Sequence, residues 1–208
     1  MRGRLITIEG LDGAGKTTLA TALHAALARD RAVELLREPG GVELSERIRV
    51  LVRDPELRCD ARAETLLYAA ARAQLVDERV EPLLAGGTWV LLDRFVDSSL
   101  AYQGAGRGLG IGAVAALNAF ATAGVVPDRT LLLRIDPAEG RARQAQRARV
   151  PDRLERESEA FFAAIAAGYE QLAAAEPQRI RVLDASCPPE RVLSFALGAL
   201  ADLDFQRS

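Results

Sequence analysis

Short apolar runs alternate along the chain with longer segments in which apolar and polar positions follow a helical period. The apolar runs are rich in Leu, Ile and Val, and they predict buried strands at residues 5–8, 33–37, 89–93, 129–135 and 180–184. The helical pattern covers residues 16–29, 43–53, 61–84, 98–103, 111–123, 155–175 and 189–203. Because strands that alternate with helices are typical of parallel sheets, we expect an α/β fold with an open, mostly parallel five-stranded sheet and helices on both faces.

An arginine-dense segment follows the fourth predicted strand. Asp136 and Pro137 have the pattern of a helix start, with a capping carboxylate followed by Pro at the first helical position. Five arginines then fall between residues 141 and 153, on both sides of Pro151. We interpret residues 141–155 as a small mobile lid. Since no repeat or long linker divides the chain, residues 1–208 are expected to form a single domain.

Composition narrows the classes of protein that remain. Lys and Arg number 27 against 29 Asp and Glu, so the net charge of -2 gives no support to non-specific nucleic-acid binding. No apolar run approaches the ~20 residues of a membrane-spanning helix. The first residues also lack the core of a signal peptide, which predicts a cytoplasmic protein with neither a membrane nor a nucleic-acid partner.

A glycine-rich motif joins the first predicted strand to the first helix. Residues 10–17, GLDGAGKT, fit G-x-x-x-x-G-K-[ST], and glycines of this kind let consecutive backbone N–H groups surround a phosphate. The helix start adds positive potential, and Lys16 is expected to reach the outer phosphates. The motif predicts a nucleoside triphosphate site but does not separate a kinase from a switch. The residues expected to bind ATP here are Gly10, Leu11, Asp12, Gly13, Ala14, Gly15, Lys16, Thr17 and Thr18.

A phosphate loop of this type works with Mg²⁺, for which the Thr17 hydroxyl is one expected ligand. Asp93 and Asp136 both follow apolar strands and could supply the metal-side carboxylate. Asp136 already has a role as a helix cap. Asp93 ends a strand at the sheet edge where ligands bind in α/β folds, so we favour Asp93.

Four arginines between the loop and the fourth strand could form a second anion site, which a kinase needs and a switch does not, although any one of them alone is more typical of a solvated face. They are Arg37, Arg49, Arg72 and Arg94. Tyr68 and Arg72 are four residues apart and share one helix face, so they could present an aromatic plate beside a guanidinium to a flat base. Alternatively, Tyr68 packs in the core and Arg72 is solvated, and the spacing alone favours neither arrangement.

With these motifs the sequence resembles the bacterial thymidylate kinase (dTMP kinase) family over nearly its whole length. The matching segments are IEGLDGAGKTT at 8–18, REPGG at 37–41, DRF at 93–95, SSLAYQG at 98–104, GRG at 106–108 and DRLE at 152–155. The combination of REPGG with the Asp-Arg pair is highly specific. The resemblance implies a homodimeric enzyme of P-loop NTPase fold that converts dTMP to dTDP with ATP and Mg²⁺ in dTTP biosynthesis.

The resemblance also implies roles for individual residues. Tyr68 would stack on thymine, Arg72 would contact a thymine carbonyl, and Tyr102 would lie below the deoxyribose. Asp12 would lie near the 3′-hydroxyl, and Ala185 near adenine. The residues expected to bind dTMP are Arg37, Glu38, Pro39, Arg49, Tyr68, Arg72, Arg94, Ser99, Tyr102 and Gln103.

The cation for the transferring phosphoryl group is expected to come from the lid. Some relatives carry an arginine inside the phosphate loop, where this chain has Gly13. The Asp152–Arg153 pair matches the end of the family's lid, so Arg153 is the first candidate and Arg149 the second. The residues expected to act in catalysis are Asp12, Lys16, Arg94, Arg149 and Arg153. The alternatives are a kinase for another nucleotide or small metabolite, and a nucleotide-dependent switch ATPase.

Overall fold

A five-stranded parallel sheet forms the centre of the computed structural model, which describes residues 2–146 and 152–204. The strands are β1 Leu5–Gly10, β2 Val33–Arg37, β3 Trp89–Asp93, β4 Arg129–Arg134 and β5 Ile180–Asp184. Their order across the sheet is β2-β3-β1-β4-β5, and all neighbours pair in parallel. The α/β fold expected from the apolar pattern is confirmed.

The helices follow the strands in the expected alternation. They are α1 Lys16–Leu27, α2 Glu43–Arg53, α3 Ala61–Leu75, α4 Glu81–Ala85, α5 Val96–Ser99, α6 Ile111–Ala121, α7 Pro137–Ala145, α8 Glu159–Ala175 and α9 Pro189–Asp204. A π-helical turn, Val76–Val80, joins α3 to α4. A second, the π-helical segment Leu100–Gly106, follows α5. Helical backbone therefore runs along the whole of the predicted helix 61–84.

Two boundaries differ from the sequence-based prediction for physical reasons. The helix expected from residue 155 begins at Glu159, because Ser158 caps it by accepting a 3.2 Å bond from the Phe161 N–H. Asp152 instead organises a separate turn, accepting 3.1 Å bonds from the Leu154 and Glu155 N–H groups. The short helix expected at 98–103 begins two residues earlier and becomes the π-helical segment.

Both faces of the sheet are buried, as its strand composition requires. Along β3, Val90 and Leu92 pack in one apolar cluster with Leu84 of α4. The intervening Leu91 belongs to the other cluster, together with Leu23 of α1. Neighbouring residues of a strand point to opposite faces, so this division shows apolar contacts on each side of the sheet. Because both faces are apolar, the polar groups of the site lie at the carboxyl ends of the strands.

Over the residues described, no helix combines the length and apolarity needed to cross a membrane.

Candidate functional site

A cavity of about 420 Å³ lies beyond the carboxyl ends of β1, β2 and β3. Most residues expected to bind ATP phosphates or dTMP line this one cavity, although they come from six separate stretches of chain. The predicted residues that line it are Asp12, Gly13, Gly15, Lys16, Thr17, Thr18, Arg37, Glu38, Pro39, Arg49, Tyr68, Arg72, Asp93, Arg94, Ser99, Tyr102 and Gln103.

The phosphate loop has the left-handed backbone conformations that its glycines were expected to permit. Gly13 and Gly15 have φ values of 86° and 91°, in the left-handed region that side chains disfavour. Lys16 is buried, and its Nζ donates to the carbonyl oxygens of Gly10 at 3.1 Å and Leu11 at 2.8 Å. Burial, helped by the nearby Arg94 charge, lowers the pKa of Lys16 to about 8. An arriving phosphate would favour the charged ammonium again.

Gly13 also lies against the first turn of α7. A Cβ placed on Gly13 would come within 2.1 Å of the Gly140 carbonyl oxygen, and one on Gly140 within 2.9 Å of the Asp12 carbonyl oxygen. The loop and α7 therefore touch backbone to backbone. This contact excludes an arginine at residue 13, and the left-handed φ of Gly13 disfavours any side chain there. Steric constraints therefore explain why this residue is glycine.

The Thr17 hydroxyl and the Asp93 carboxylate lie side by side at the start of α1. Thr17 Oγ1 donates to Asp93 Oδ2 at 2.8 Å. A hydroxyl and a carboxylate oxygen are donors that Mg²⁺ prefers, so this pair fits the metal. Asp136 instead caps α7, where its Oδ1 accepts bonds from the Ala138 N–H at 2.8 Å and the Glu139 N–H at 3.3 Å.

Arg94 lines the cavity between the phosphate loop and the residues expected to bind dTMP. Its φ of 74° is left-handed, a strain that non-glycine residues keep mainly at functional sites. Its guanidinium donates to Asp12 Oδ1 at 2.7 Å, and Tyr102 donates to the other Asp12 oxygen at 3.0 Å. Burial opposes ionisation of Asp12, but the charges of Arg94 and Lys16 outweigh it and hold the Asp12 pKa below its usual range.

Arg72 is held by its protein partners on every side. It is 2% exposed, and it pairs with the Glu38 carboxylate at 2.7 Å. Its other donors reach Ser99 Oγ at 3.0 Å, the Phe95 carbonyl at 3.0 Å and the Asn118 side chain. The solvated alternative for Arg72 is therefore wrong. Its five N–H groups all have partners, so Arg72 fixes Glu38 and Ser99 at the cavity wall.

Tyr68 is half-buried and lies on the cavity wall. One side of its ring packs against the small apolar cluster of Ile48, Val52 and Ala71. The ring thus belongs to both alternatives that the spacing left open: it packs on apolar neighbours and also faces the cavity. Arg49 also lines the cavity, and it donates to the Pro39 carbonyl at 2.8 Å.

Three loop residues that were expected to bind ATP do not line the cavity; they are Gly10, Leu11 and Ala14. Two more predicted residues among those described lie away from it. Arg153 does not line the cavity, because its guanidinium pairs with Glu64 at 2.6 Å and donates to the Val52 carbonyl at 3.0 Å. Ala185 is buried outside the cavity wall, and its carbonyl accepts a 3.0 Å bond from Arg143. Arg149 lies outside the described residues. Their roles in binding or transfer stay predictions.

Sequence reasoning gave no site role to Asp152, Leu154 and Glu155, which line the cavity, or to three other residues. Arg53 lines the cavity and pairs with Asp152 at 2.9 Å, and its position four residues after Arg49 was an available signal. Ser98 accepts a 2.9 Å bond from Arg94, and its place beside Ser99, which was expected to bind dTMP, was an available signal. Glu64 is fully buried and stands four residues before Tyr68, on the helix face already singled out.

A phosphate loop between β1 and α1, a five-stranded parallel sheet and a cavity at the strands' carboxyl ends define a P-loop nucleotide-binding protein. Residues 8–195 match the family model for thymidylate kinase, and the chain belongs to this family.

Known members of the family resemble the chain over most of its length. A thymidylate kinase from Lactobacillus delbrueckii is 50% identical over 190 residues, covering 89% of this chain and 90% of that protein. One from Deinococcus radiodurans is 48% identical over 192 residues, covering 92% of this chain and 93% of that protein. The crystal structure of thymidylate kinase from Ehrlichia chaffeensis superimposes with a TM-score of 0.79 at 28% identity, covering 96% of this chain and 99% of that one.

Proposed function

We propose that this protein is a dTMP kinase that catalyses ATP + dTMP ⇌ ADP + dTDP in the synthesis of dTTP. The observation that carries the proposal is one cavity with two differently built halves. The donor half contains the phosphate loop and Lys16, and the acceptor half contains Tyr68, Arg72 and Gln103. A switch ATPase would have no use for the second half.

On the donor side, the loop's backbone N–H groups and Lys16 bind the outer phosphates of ATP. Thr17 and Asp93 would hold Mg²⁺, which would supply charge neutralisation on the phosphates. Lys16 donates to loop carbonyl oxygens at 2.8 and 3.1 Å, so the loop itself holds the ammonium group in place before a phosphate binds. Ala185 contributes to the adenine site in this proposal.

On the acceptor side, the nucleophile is an oxygen of the dTMP phosphate. That oxygen is ionised at neutral pH, so the reaction needs alignment and charge neutralisation rather than a strong general base. Arg94, fixed by Asp12 at 2.7 Å, stands between the loop and the acceptor half and binds the acceptor phosphate. Arg37 and Arg49 add positive charge on the β2 side, and Tyr102 lies beneath the deoxyribose.

The proposal includes one kinase domain over residues 1–208 with a lid at about 141–155. Closure of this lid would exclude water and prevent unproductive hydrolysis of ATP. Arg149 or Arg153 supplies the cation for the transferring group. Gly140 immediately precedes the lid, and its backbone contact with Gly13 supports a link between the phosphate loop and the start of the lid.

The proposal further includes a cytoplasmic location and a homodimer. Exposed apolar side chains support a dimer: Val50 of α2, Leu66 of α3 and Phe120 of α6 are 70%, 56% and 87% exposed, and these three helices pack in succession. Light scattering on the wild type and on Phe120→Asp would test this. A monomeric wild type would contradict the dimer.

The reaction is tested by ADP release from ATP and Mg²⁺ in the presence of dTMP, dUMP, dCMP or AMP. We expect the highest kcat/KM with dTMP and little ATP turnover without an acceptor. Highest activity on AMP or dCMP would contradict the substrate assignment. ATP turnover that is indifferent to every acceptor would point to a switch ATPase.

A further inference from the structure

A buried carboxylate next to the acceptor half belongs to none of the roles described above. Glu64 of α3 is completely inaccessible to solvent. It accepts a 2.8 Å bond from Gln103 Nε2, a 3.0 Å bond from Arg107 and a 2.6 Å contact from Arg153. These partners come from the π-helical segment, the turn after it and the turn before α8. One carboxylate therefore joins α3 to two other stretches of chain, residues 103–107 and the turn that contains Arg153.

The contact with Gln103 fixes which way the amide of Gln103 faces. An ionised carboxylate can only accept hydrogen bonds, so Gln103 must present its NH₂ group to Glu64. Burial would raise the pKa of Glu64, but bonds from Arg107 and Gln103 outweigh it and hold that pKa below the usual value. Glu64 thus stays ionised at neutral pH. If the Gln103 amide rotated by 180°, its carbonyl oxygen would face the Glu64 carboxylate, and two acceptors would lie together without a proton between them.

The same contact determines what the cavity offers to a base. Gln103 lines the cavity, and with its NH₂ group on Glu64 its carbonyl oxygen is left for a ligand. Thymine and uracil carry an N3–H donor between two carbonyl groups, whereas cytosine has an acceptor at N3. A fixed acceptor therefore suits the first two bases and leaves an unpaired acceptor with cytosine, which is the kind of mismatch that gives strong selectivity.

Arg153 extends the network to the predicted lid. Beyond Glu64, its guanidinium donates to the Val52 carbonyl at 3.0 Å, at the end of α2. Beside it, Asp152 pairs with Arg53 at 2.9 Å. Two consecutive residues at the end of the lid are thus fastened to the helices of the acceptor half, one of them directly to Glu64.

We propose that Glu64 is a positioning residue that holds the Gln103 amide with its carbonyl toward the base, and so makes the site select an imide base over cytosine. Through Arg153, the same carboxylate links base recognition to the end of the lid. The proposal rests on the assignment of dTMP as the acceptor.

The first test is the ratio of kcat/KM for dTMP to that for dCMP in Glu64→Gln. A neutral amide at residue 64 can face Gln103 with either end, so Gln103 loses its fixed orientation. We expect the ratio to fall by about tenfold or more. The matched control is Glu157→Gln, which removes the other carboxylate paired with Arg107, at 2.6 Å, without touching Gln103. The ratio should stay within about twofold of the wild-type value there.

A purely structural role for Glu64 would lower both kcat/KM values by the same factor. An unchanged ratio in Glu64→Gln would therefore overturn the proposal. The network has two arms, because Glu64 contacts both Gln103 and Arg153, and Arg153→Gln removes only the second contact. This variant should alter kcat or the KM for dTMP, while the ratio of kcat/KM for dTMP to that for dCMP is retained. A collapse of that ratio in Arg153→Gln would contradict the assignment of selectivity to the Gln103 arm.

A second measurement needs no folded Glu64 variant. In ¹⁵N-labelled wild-type protein, the side-chain NH₂ signals of Gln103 can be assigned by their absence in Gln103→Met. We expect them to be protected from exchange both without ligand and with dTMP. Rapid exchange in the free protein would overturn the proposal. A wild type that ignores dTMP but keeps this protection would instead contradict the assigned acceptor and leave the amide orientation standing.

Discussion

Lys16 and Tyr68 face the same cavity, but they reach it by different means. Lys16 belongs to one continuous loop, and its ammonium is directed by carbonyl oxygens five and six residues away. Tyr68 stands in an acceptor half whose walls depend on buried pairs such as Arg72 with Glu38, which are 34 residues apart. The phosphate loop of the donor half is thus local and built from backbone, whereas the acceptor half is assembled by side chains from distant elements. Variants should therefore affect the two halves separately.

The largest effect is expected from the lid cation. Removing an arginine that acts on the transferring group costs ~10³–10⁵ in kcat. We expect a loss of this size in the double variant Arg149→Ala/Arg153→Ala, with dTMP affinity within a few-fold of wild type. Steady-state kinetics and dTMP titrations measure both quantities. A near wild-type kcat in the double variant would refute a lid cation.

The single variants sharpen this result. The contacts of Arg153 with Glu64 and Val52 belong to the acceptor half. Arg153→Ala should therefore raise the KM for dTMP by no more than a few-fold, and Arg149→Ala should carry the loss of kcat. The reverse assignment would show that Arg153 leaves these contacts during turnover.

The buried pair in the acceptor wall should dominate stability. Arg72→Met leaves Glu38 buried without its partner, and we expect a cost of ~3–5 kcal/mol in the free energy of unfolding. The control is Arg79→Met, the same substitution at a half-buried pair with Glu34, for which ~0–1 kcal/mol is expected. Urea denaturation measures both. Equal costs would mean that the Arg72 pair does not hold the wall together.

The aromatic ring should matter for dTMP only. Tyr68→Ala removes the surface on which the base is proposed to stack, and ~1–3 kcal/mol of dTMP binding should be lost. Tyr68→Phe keeps the ring and should be nearly neutral. Calorimetric titration with dTMP gives both values. Unchanged binding in a folded Tyr68→Ala protein would assign Tyr68 to the apolar cluster alone.

The smallest effect is a pH dependence of the donor half. The pKa of Lys16 in the free protein is about 8, and the protonated form binds phosphate. The kcat/KM for ATP should therefore fall as pH rises through 8, approaching about tenfold per pH unit, while kcat falls only at higher pH because bound phosphates raise that pKa. The folded pKa lies below the ordinary 10.5, so this group makes stability rise with pH between 8 and 10.5. A flat ATP profile between pH 7 and 9.5 would contradict this assignment.

The parts of the molecule that were predictable from sequence are those encoded by neighbouring residues. The β2, β3 and β5 strands match the apolar runs at both ends, since each run is closed by turn residues. The phosphate loop and the Asp136 cap also followed from local spacing. Family motifs then supplied most of the acceptor half, although nothing in their order says which side chains pair.

The rest depended on contacts that no local pattern encodes. Glu64 looked like an ordinary helix residue, and its importance comes from Arg107 and Arg153, which are 43 and 89 residues away along the chain. Arg72 was expected to reach the base, and nothing local indicated that Glu38, Ser99 and Phe95, which are 34, 27 and 23 residues away, would also be its partners. The start of α8 depended on which of two nearby caps, Ser158 or Asp152, organises the helix.

Paired calorimetric titrations of one protein with both substrates test most directly whether the two halves are independent. Lys16→Met and Tyr68→Ala would each be titrated with dTMP and, separately, with a non-hydrolysable ATP analogue and Mg²⁺. We expect Lys16→Met to lose ~10–100-fold in affinity for the ATP analogue, the size of one charge-assisted hydrogen bond, while dTMP affinity is unchanged. Tyr68→Ala should show the opposite pattern. If each variant instead lowers both affinities by similar factors, the cavity acts as a single unit and the account is contradicted.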